Sequence, residues 1–186
     1  MWIRVGLDQW IVVNGVTRDG HGLPERVGLN TNGLSGCVAI GMRWGNMLSL
    51  AHVYSGCDVG TWTPAHGGGY LATLDSAFEG SRRVSGMVEG RDIEAVLYYS
   101  EGTQKWLPNQ LYEWLLTKGV DAPEESAASC RFWIENGRLC WNEKLAESPA
   151  QVNNFTTSDN AAAPILFYQA LSASAAAASP PQGDDD

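Results

Sequence analysis

The sequence lacks a long apolar run. No stretch approaches the roughly eighteen consecutive apolar residues of a membrane-spanning helix. The first residues also do not form a basic segment followed by an apolar core, which is the pattern of a secretory signal. We therefore expect no membrane partner and a chain that folds in a cytosol. If the protein leaves the cell, we expect a route that needs no cleaved leader.

Basic residues are scarce as well. The chain has 12 lysines and arginines against 21 aspartates and glutamates, which gives a formal net charge of −9. A protein that holds nucleic acid through its phosphates needs a basic face. The charge balance therefore argues against a nucleic-acid partner and mildly favours basic protein partners.

The four cysteines do not form a disulfide pattern. Asn136-Gly137 lies between two apolar runs and predicts a two-residue hairpin turn. In that register Cys130 lies opposite Glu143 and not opposite Cys140. A disulfide across the hairpin is therefore disfavoured, and reduced cysteines fit a cytosolic protein with a reactive thiol.

Motifs for metal ions and phosphate groups are also missing. Zinc motifs use pairs of ligands that are a few residues apart. No pair with this spacing occurs among the three histidines and the other two possible ligands, which are His21, His52, His66, Cys57 and Asp58. The run of His66 and three glycines at residues 66–69 lacks the lysine and hydroxyl residue of a phosphate-binding loop, so we interpret it as a loop at the rim of a site. We expect no metal ion and no cofactor.

The sequence does contain a cysteine and a histidine in a pattern typical of nucleophilic catalysis. Cys37 follows a run rich in glycine and other small residues and precedes apolar residues 38–40, which predict a strand. His52 comes fifteen positions later, at the end of a second apolar run at residues 47–51. If the two runs pair as strands across a turn at residues 43–46, the thiol and the imidazole come within hydrogen-bond reach.

Each of these residues also has a purely structural interpretation. A lone cysteine in an apolar strand is usually a packing residue, and a lone histidine beside a strand usually makes only structural hydrogen bonds. Cys57 is a rival nucleophile, but no apolar strand follows it, so we interpret it as a loop or strand-end residue. The combination of Cys37 with His52 favours a catalytic pair.

The sequence around this pair resembles the chemoreceptor glutamine deamidases of the CheD type. The matching segments are residues 5–8, 31–40 and 50–53. That family has a threonine six residues before the nucleophilic cysteine and a histidine soon after it, and Thr31, Cys37 and His52 fall on these positions. The order Leu-Ser-Gly-Cys at residues 34–37 instead resembles secreted deamidase toxins such as cytotoxic necrotizing factor.

The resemblance extends over residues 1 to about 145, but only the stretch from Thr31 to His52 is specific. Residues 16–30 have no counterpart in these families and read as an insertion. The order of serine and glycine before Cys37 departs from the chemoreceptor family and agrees with the toxins.

The resemblance implies a protein-glutamine deamidase that converts a glutamine of a target protein into glutamate and releases ammonia. Cys37 would be the nucleophile, with its thiolate favoured by an imidazolium at His52. Thr31 would orient the imidazole through its hydroxyl or its backbone carbonyl. Backbone N–H groups at Gly36 and Cys37 would bind the oxyanion. Ser35 would either hydrogen-bond within the site or allow the tight turn.

The expected partner is therefore a protein substrate that carries the target glutamine. The toxin-like motif favours a bacterial effector toxin, made in the bacterial cytoplasm and delivered into a host cell by a leaderless secretion system. The sequence leaves the target protein and the oligomeric state open, with a monomer expected.

Three other functions stay open. A housekeeping chemoreceptor-type deamidase would use the same residues, and a transglutaminase would share the thioester but resolve it with an amine. A non-catalytic protein-binding module would bury Cys37 and present some of the eight tryptophans as its surface. A papain-like peptidase is disfavoured, because its histidine lies far downstream of its cysteine.

The apolar patterns predict an α+β fold with a β-sandwich-like mixed sheet core and flanking helices. Apolar and aromatic runs predict strands at residues 3–13, 47–54, 93–99 and 164–168. Apolar stripes predict a helix at residues 70–78 that Gly80 ends, and a second at residues 108–118 followed by Gly119. We interpret residues 1–171 as one domain and residues 172–186 as a disordered acidic tail.

Overall fold

A computed structural model of the chain describes residues 1–18, 20–53, 69–86, 92–143, 165–172 and 183–184. The elements in these residues are, in chain order, β1 (Trp2–Arg4), β2 (Gln9–Asn14), β3 (Val16–Arg18), β4 (Pro24–Arg26), β5 (Gly28–Asn32), β6 (Val38–Trp44), β7 (Met47–Val53), α1 (Gly69–Ser85), β8 (Glu94–Tyr99), α2 (Trp106–Thr117), β9 (Glu124–Ser126), β10 (Ser129–Glu135), β11 (Arg138–Glu143), β12 (Ile165–Ala170) and β13 (Gly183–Asp184).

The strands form two large sheets and one small sheet. The five-stranded sheet has the order β11-β10-β5-β1-β13, the six-stranded sheet has the order β12-β2-β7-β6-β8-β9, and β3 pairs with β4. Both large sheets are mixed, because β1 runs parallel to β5 and β8 runs parallel to β9. The predicted α+β fold with a mixed sheet core and flanking helices is confirmed.

Alternating side chains place the six-stranded sheet between two hydrophobic layers. In β6, Val38 and Ile40 join a cluster with both helices, whereas Ala39 joins a cluster with the five-stranded sheet. Successive residues of a strand point to opposite faces, so both faces of this sheet are buried. The domain therefore has three layers: the five-stranded sheet, the six-stranded sheet and the helices.

A glycine sets how closely the two large sheets approach each other. A Cβ atom on Gly41 in β6 would lie 2.3 Å from Cε1 of Phe132 in β10. Tyr98 in β8 packs its edge against the same ring, with 5.8 Å between the ring centroids. No side chain fits at position 41 without displacing the ring of Phe132.

Both predicted hairpins are confirmed. β6 and β7 pair in antiparallel register across a turn at Gly45 and Asn46, which is shorter than the predicted turn at residues 43–46. β10 and β11 pair in the predicted register, with Cys130 opposite Glu143. None of the described cysteines, Cys37, Cys130 and Cys140, forms a disulfide bond.

The first helix is longer than predicted. α1 continues through Gly80 to Ser85, so the expectation that Gly80 ends it is wrong. A Cβ atom on Gly80 would lie 2.5 Å from Cε2 of Phe167 in β12. This glycine therefore lets the helix pack against the sheet, and Gly86, with φ of 67°, follows the helix end.

The second helix agrees with its prediction. Leu111, Trp114 and Leu115 of α2 are buried, and Gly119, just after the C-cap residue, has φ of 74°. The left-handed conformation at this position is one that glycine adopts without a steric penalty. Neither α1 nor α2 has both the length and the apolar character needed to cross a membrane.

The end of the chain differs from the sequence expectation. Gly183–Asp184 form β13, which pairs with β1, so disorder of the tail at residues 172–186 is corrected for these two residues. Backbone pairing to a strand edge can order a segment that has no apolar side chains to bury. Residues 173–182 and 185–186 lie outside the described part. The insertion-like residues 16–30 hold β3, β4 and the start of β5.

Candidate active site

Thr31 and His52 come from different sheets and meet between them. Oγ1 of Thr31 in β5 lies 2.8 Å from Nδ1 of His52 in β7. The same hydroxyl donates to the backbone carbonyl oxygen of Val5 at 2.7 Å. Because the hydroxyl has a single proton, Thr31 accepts the Nδ1 proton of His52. This network assigns the tautomer that leaves a lone pair on Nε2.

The imidazole of His52 is buried, with only 3% of the residue exposed. Burial lowers its pKa from 6.5 to about 4, and the charge of Asp8 acts in the opposite direction. Its Nε2 atom has no hydrogen-bond partner among the described residues. The resting site therefore holds a neutral imidazole with an available base nitrogen, and not the imidazolium expected from the sequence.

Cys37 immediately precedes β6 and shares the side-chain layer of His52. Ala39 lies opposite His52 in the register of β6 and β7, and Cys37 is two residues before Ala39. Cys37 and Ala39 both belong to the hydrophobic cluster between the sheets. Cys37 is therefore a diagonal neighbour of His52, and diagonal neighbours on one face lie within reach of long side chains.

The loop before Cys37 has a shape that requires two glycines. Gly33 and Gly36 have φ of 76° and 99°, a region that other residues rarely adopt. Between them Leu34 is buried and donates its N–H to the carbonyl oxygen of Ala128 at 2.9 Å. Ser35 is exposed. The loop thus turns tightly around a buried anchor, with an exposed serine beside it.

Two hydroxyl residues between β8 and α2 hold the same loop. Oγ1 of Thr103 lies 3.3 Å from the carbonyl oxygens of both Leu34 and Cys37. Oγ of Ser100 donates to the carbonyl oxygen of Leu34 at 3.1 Å. The sequence analysis missed both residues, because they are more than sixty positions from Cys37 and hydroxyls in a loop have no periodic pattern.

Asp8 and Tyr70 form a buried pair beside the backbone of His52. The N–H of Asp8 donates to the carbonyl oxygen of His52 at 2.8 Å, and the hydroxyl of Tyr70 donates to Oδ1 of Asp8. The sequence analysis included Asp8 in a matching segment but gave it no role. The sequence feature that could have indicated a role for Asp8 is an acidic residue between two apolar strands.

Two further cysteine and histidine residues of the described part have surroundings unlike those of Cys37 and His52. His21 is exposed between β3 and β4. Cys130 lies opposite Thr31 in β10, and burial raises the pKa of its thiol well above the ordinary range. Cys57, Asp58 and His66 lie outside the described residues. Within the described part, no group of three or more His, Cys, Asp or Glu side chains is arranged to hold a metal ion.

The arrangement is suited to acyl transfer. It combines a buried thiol, a neutral imidazole with its base nitrogen available, and a hydroxyl that fixes the ring. Comparison with known proteins gives no identification, since no family model matches the chain and no curated protein is significantly similar to it. The resemblance to glutamine deamidases stays a prediction from the sequence.

Proposed function

We propose that this protein is a cysteine-dependent protein-glutamine deamidase. The observation that supports it best is the contact between Thr31 and His52, which leaves Nε2 of His52 as the base nitrogen in the side-chain layer of Cys37. A buried polar atom without a partner costs about 1–3 kcal/mol. A histidine with only a packing role would gain nothing from that cost, whereas a general base needs this nitrogen.

The first half of the reaction forms a thioester. Nε2 of His52 takes the thiol proton while Sγ of Cys37 attacks the carboxamide carbon of the glutamine side chain. Backbone N–H groups at Gly36 and Cys37 stabilise the charge that develops on oxygen. The imidazolium then gives its proton to the leaving nitrogen, and ammonia departs.

The second half of the reaction hydrolyses the thioester. His52 removes a proton from water, the hydroxide attacks the acyl carbon, and the bond to Sγ breaks. Cys37 regains its proton and the target glutamine has become a glutamate. Thr31 keeps the imidazole in one orientation and one tautomer through both halves, so that the same nitrogen takes and returns the proton.

The Leu-Ser-Gly-Cys order at residues 34–37 supports a bacterial effector that acts on a host protein. The net charge of −9 suits a target with a basic surface around the glutamine. Ser35, next to Gly36, is exposed, which supports a protein as the substrate.

A direct test incubates the protein with host-cell lysate and, separately, with bacterial lysate. Peptides are then searched by mass spectrometry for glutamines converted into glutamates, and ammonia is measured in parallel. The matched control is Cys37→Ser, which should convert none of the sites. Adding a labelled primary amine identifies a transglutaminase, because the label would then replace the hydrolysis product.

The outcomes of this test are distinct. Conversion in host lysate alone supports the effector, and conversion of a chemoreceptor in bacterial lysate supports the housekeeping enzyme. A wild-type protein that converts no glutamine and releases no ammonia in either lysate contradicts the deamidase proposal and favours a binding module.

A further inference from the structure

Asp8 is the only carboxylate that is buried among the described residues. It lies in the turn between β1 and β2, with 4% of the residue exposed, and it adopts φ of 56°. A non-glycine residue in this region of backbone space carries a conformational cost. Burying a carboxylate is also unfavourable unless other groups stabilise it. Both costs indicate a specific role.

The surroundings of Asp8 hold it in place from three directions. Its N–H donates to the carbonyl oxygen of His52, and its own carbonyl oxygen accepts from the N–H of Leu171 at 2.7 Å. The hydroxyl of Tyr70, in the first turn of α1, donates to its Oδ1. The backbone of Asp8 is therefore fixed relative to β7 and the end of β12, and its carboxylate is bound to α1 through Tyr70.

We propose that Asp8 is a positioning residue for His52, whose fixed carboxylate supplies the negative charge against which the imidazolium forms during turnover. This inference rests on the proposed deamidase function. In each half of the reaction a proton moves onto Nε2 of His52, so that a buried ring becomes positively charged. Thr31 offers this ring only a neutral dipole, and Asp8 offers it a counter-charge.

The other ionisable side chains around His52 do not provide such a charge. The layer between the sheets contains the thiols of Cys37 and Cys130 and the phenol of Tyr98, with Tyr168 packed against its margin. The phenol of Tyr70 donates its hydrogen bond to the carboxylate of Asp8. No lysine or arginine is buried among the described residues.

The test compares Asp8→Asn with the wild-type protein. Asparagine keeps an acceptor for Tyr70, tolerates the left-handed conformation and removes only the charge. We expect kcat for glutamine hydrolysis to fall about tenfold or more with KM unchanged. We also expect alkylation of Cys37 at pH 7 to slow by a similar factor, with no change at pH 9.5, where hydroxide replaces the imidazole as the base.

Asp75→Asn is a matched control. Asp75 in α1 also accepts a hydrogen bond from an aromatic side chain, Trp114 at 2.8 Å, but it belongs to the helix layer. The Asp75→Asn variant should have the kcat and both alkylation rates of the wild-type protein. If Asp8→Asn does not fold, Tyr70→Phe replaces it, because it keeps the charge but removes the hydrogen bond from Tyr70 to the carboxylate. A fall of kcat by a few fold at constant KM is then expected.

The possible results separate the two proposals. An active wild-type protein whose Asp8→Asn variant keeps its kcat and its alkylation rate at pH 7 overturns the role of Asp8 and leaves the deamidase intact. Equal slowing of alkylation at pH 7 and pH 9.5 also overturns it, because that result indicates a general structural defect. A wild-type protein with no amide hydrolysis, but with the selective slowing at pH 7, overturns the deamidase and keeps the coupling of Asp8 to His52.

Discussion

The hydroxyl of Thr31 accepts the Nδ1 proton of His52 across the space between two sheets, over 2.8 Å. Because the same hydroxyl donates its own proton to Val5, the contact defines both the orientation and the tautomer of the ring. The contact joins a threonine and a histidine that are twenty-one positions apart. His52 lies in β7, which pairs with β6, the strand that follows Cys37.

Thr31→Val tests this contact. Valine has nearly the same shape but no hydroxyl, so Nδ1 of His52 loses its partner in a buried place. We expect turnover to fall roughly 10–100-fold, as for other residues that orient a reactive ligand. Thr31→Ser, which keeps the hydroxyl, should stay close to the wild-type rate. Full activity of Thr31→Val would remove Thr31 from the site.

Cys37→Ser should abolish ammonia release while leaving the melting temperature nearly unchanged. The serine hydroxyl is almost isosteric with the thiol, but it is a far weaker nucleophile with this base. His52→Ala should reduce ammonia release to a similar residual rate. The double variant should be no slower, because the effects of residues that act as one unit are not additive. Cys140→Ser is the control and should keep full activity. Loss of activity only in Cys57→Ser would place the nucleophile elsewhere.

The buried imidazole predicts a pH dependence of stability. The pKa of His52 falls from 6.5 to about 4 on folding, so below pH 6.5 the unfolded chain binds a proton that the folded protein excludes. This contribution to stability is present above pH 6.5 and is lost as the pH falls towards 4. Between pH 7 and pH 4.5 the loss is roughly 2 kcal/mol.

Urea unfolding of the wild-type protein and of His52→Gln at both pH values measures this contribution. The other titrating groups are common to both proteins, so the wild type should lose about 2 kcal/mol more than the variant. Equal losses would mean that the imidazole is not buried in its neutral form.

Thr103→Val tests the contacts that hold the loop before Cys37. The change removes the hydroxyl that lies 3.3 Å from two carbonyl oxygens of that loop and keeps the shape of the side chain. We expect kcat to fall with little change in KM, because the position of the nucleophile is altered and not substrate binding. Ser100→Ala, which removes a contact to Leu34 alone, should have the smaller effect. The reverse order would contradict a special role for Thr103.

Truncation after residue 182 tests the pairing of β13 with β1. Loss of the backbone hydrogen bonds of this two-residue strand should cost about 1 kcal/mol, which lowers the melting temperature by about 2–4 °C. Asp184→Ala is the control, because it keeps the backbone and removes only a carboxylate. An unchanged melting temperature after truncation would mean that β13 adds no stability.

Local patterns predicted much of this fold. Asn136 and Gly137 have φ of 51° and 74°, as the hairpin turn expected from this dipeptide requires. The apolar runs on either side of Gly45 and Asn46 predicted the pairing of β6 with β7. That pairing places His52 opposite Ala39 and diagonal to Cys37 on the same face. These features depend on residues close together in the chain, whose propensities and periodicity are visible in the sequence.

The sequence by itself therefore determined the strands of the two hairpins and the strand face that Cys37 shares with His52. Only the tertiary structure decided that Gly80 contacts Phe167 instead of ending a helix, that β13 pairs with β1, and that Asp8, Tyr70 and Thr103 surround the site. Those contacts join segments far apart in the chain, and they form because two sheets and a helix layer must bury their apolar faces together. The same packing removes water from His52, which is why its neutral ring was not foreseen from its position in the sequence.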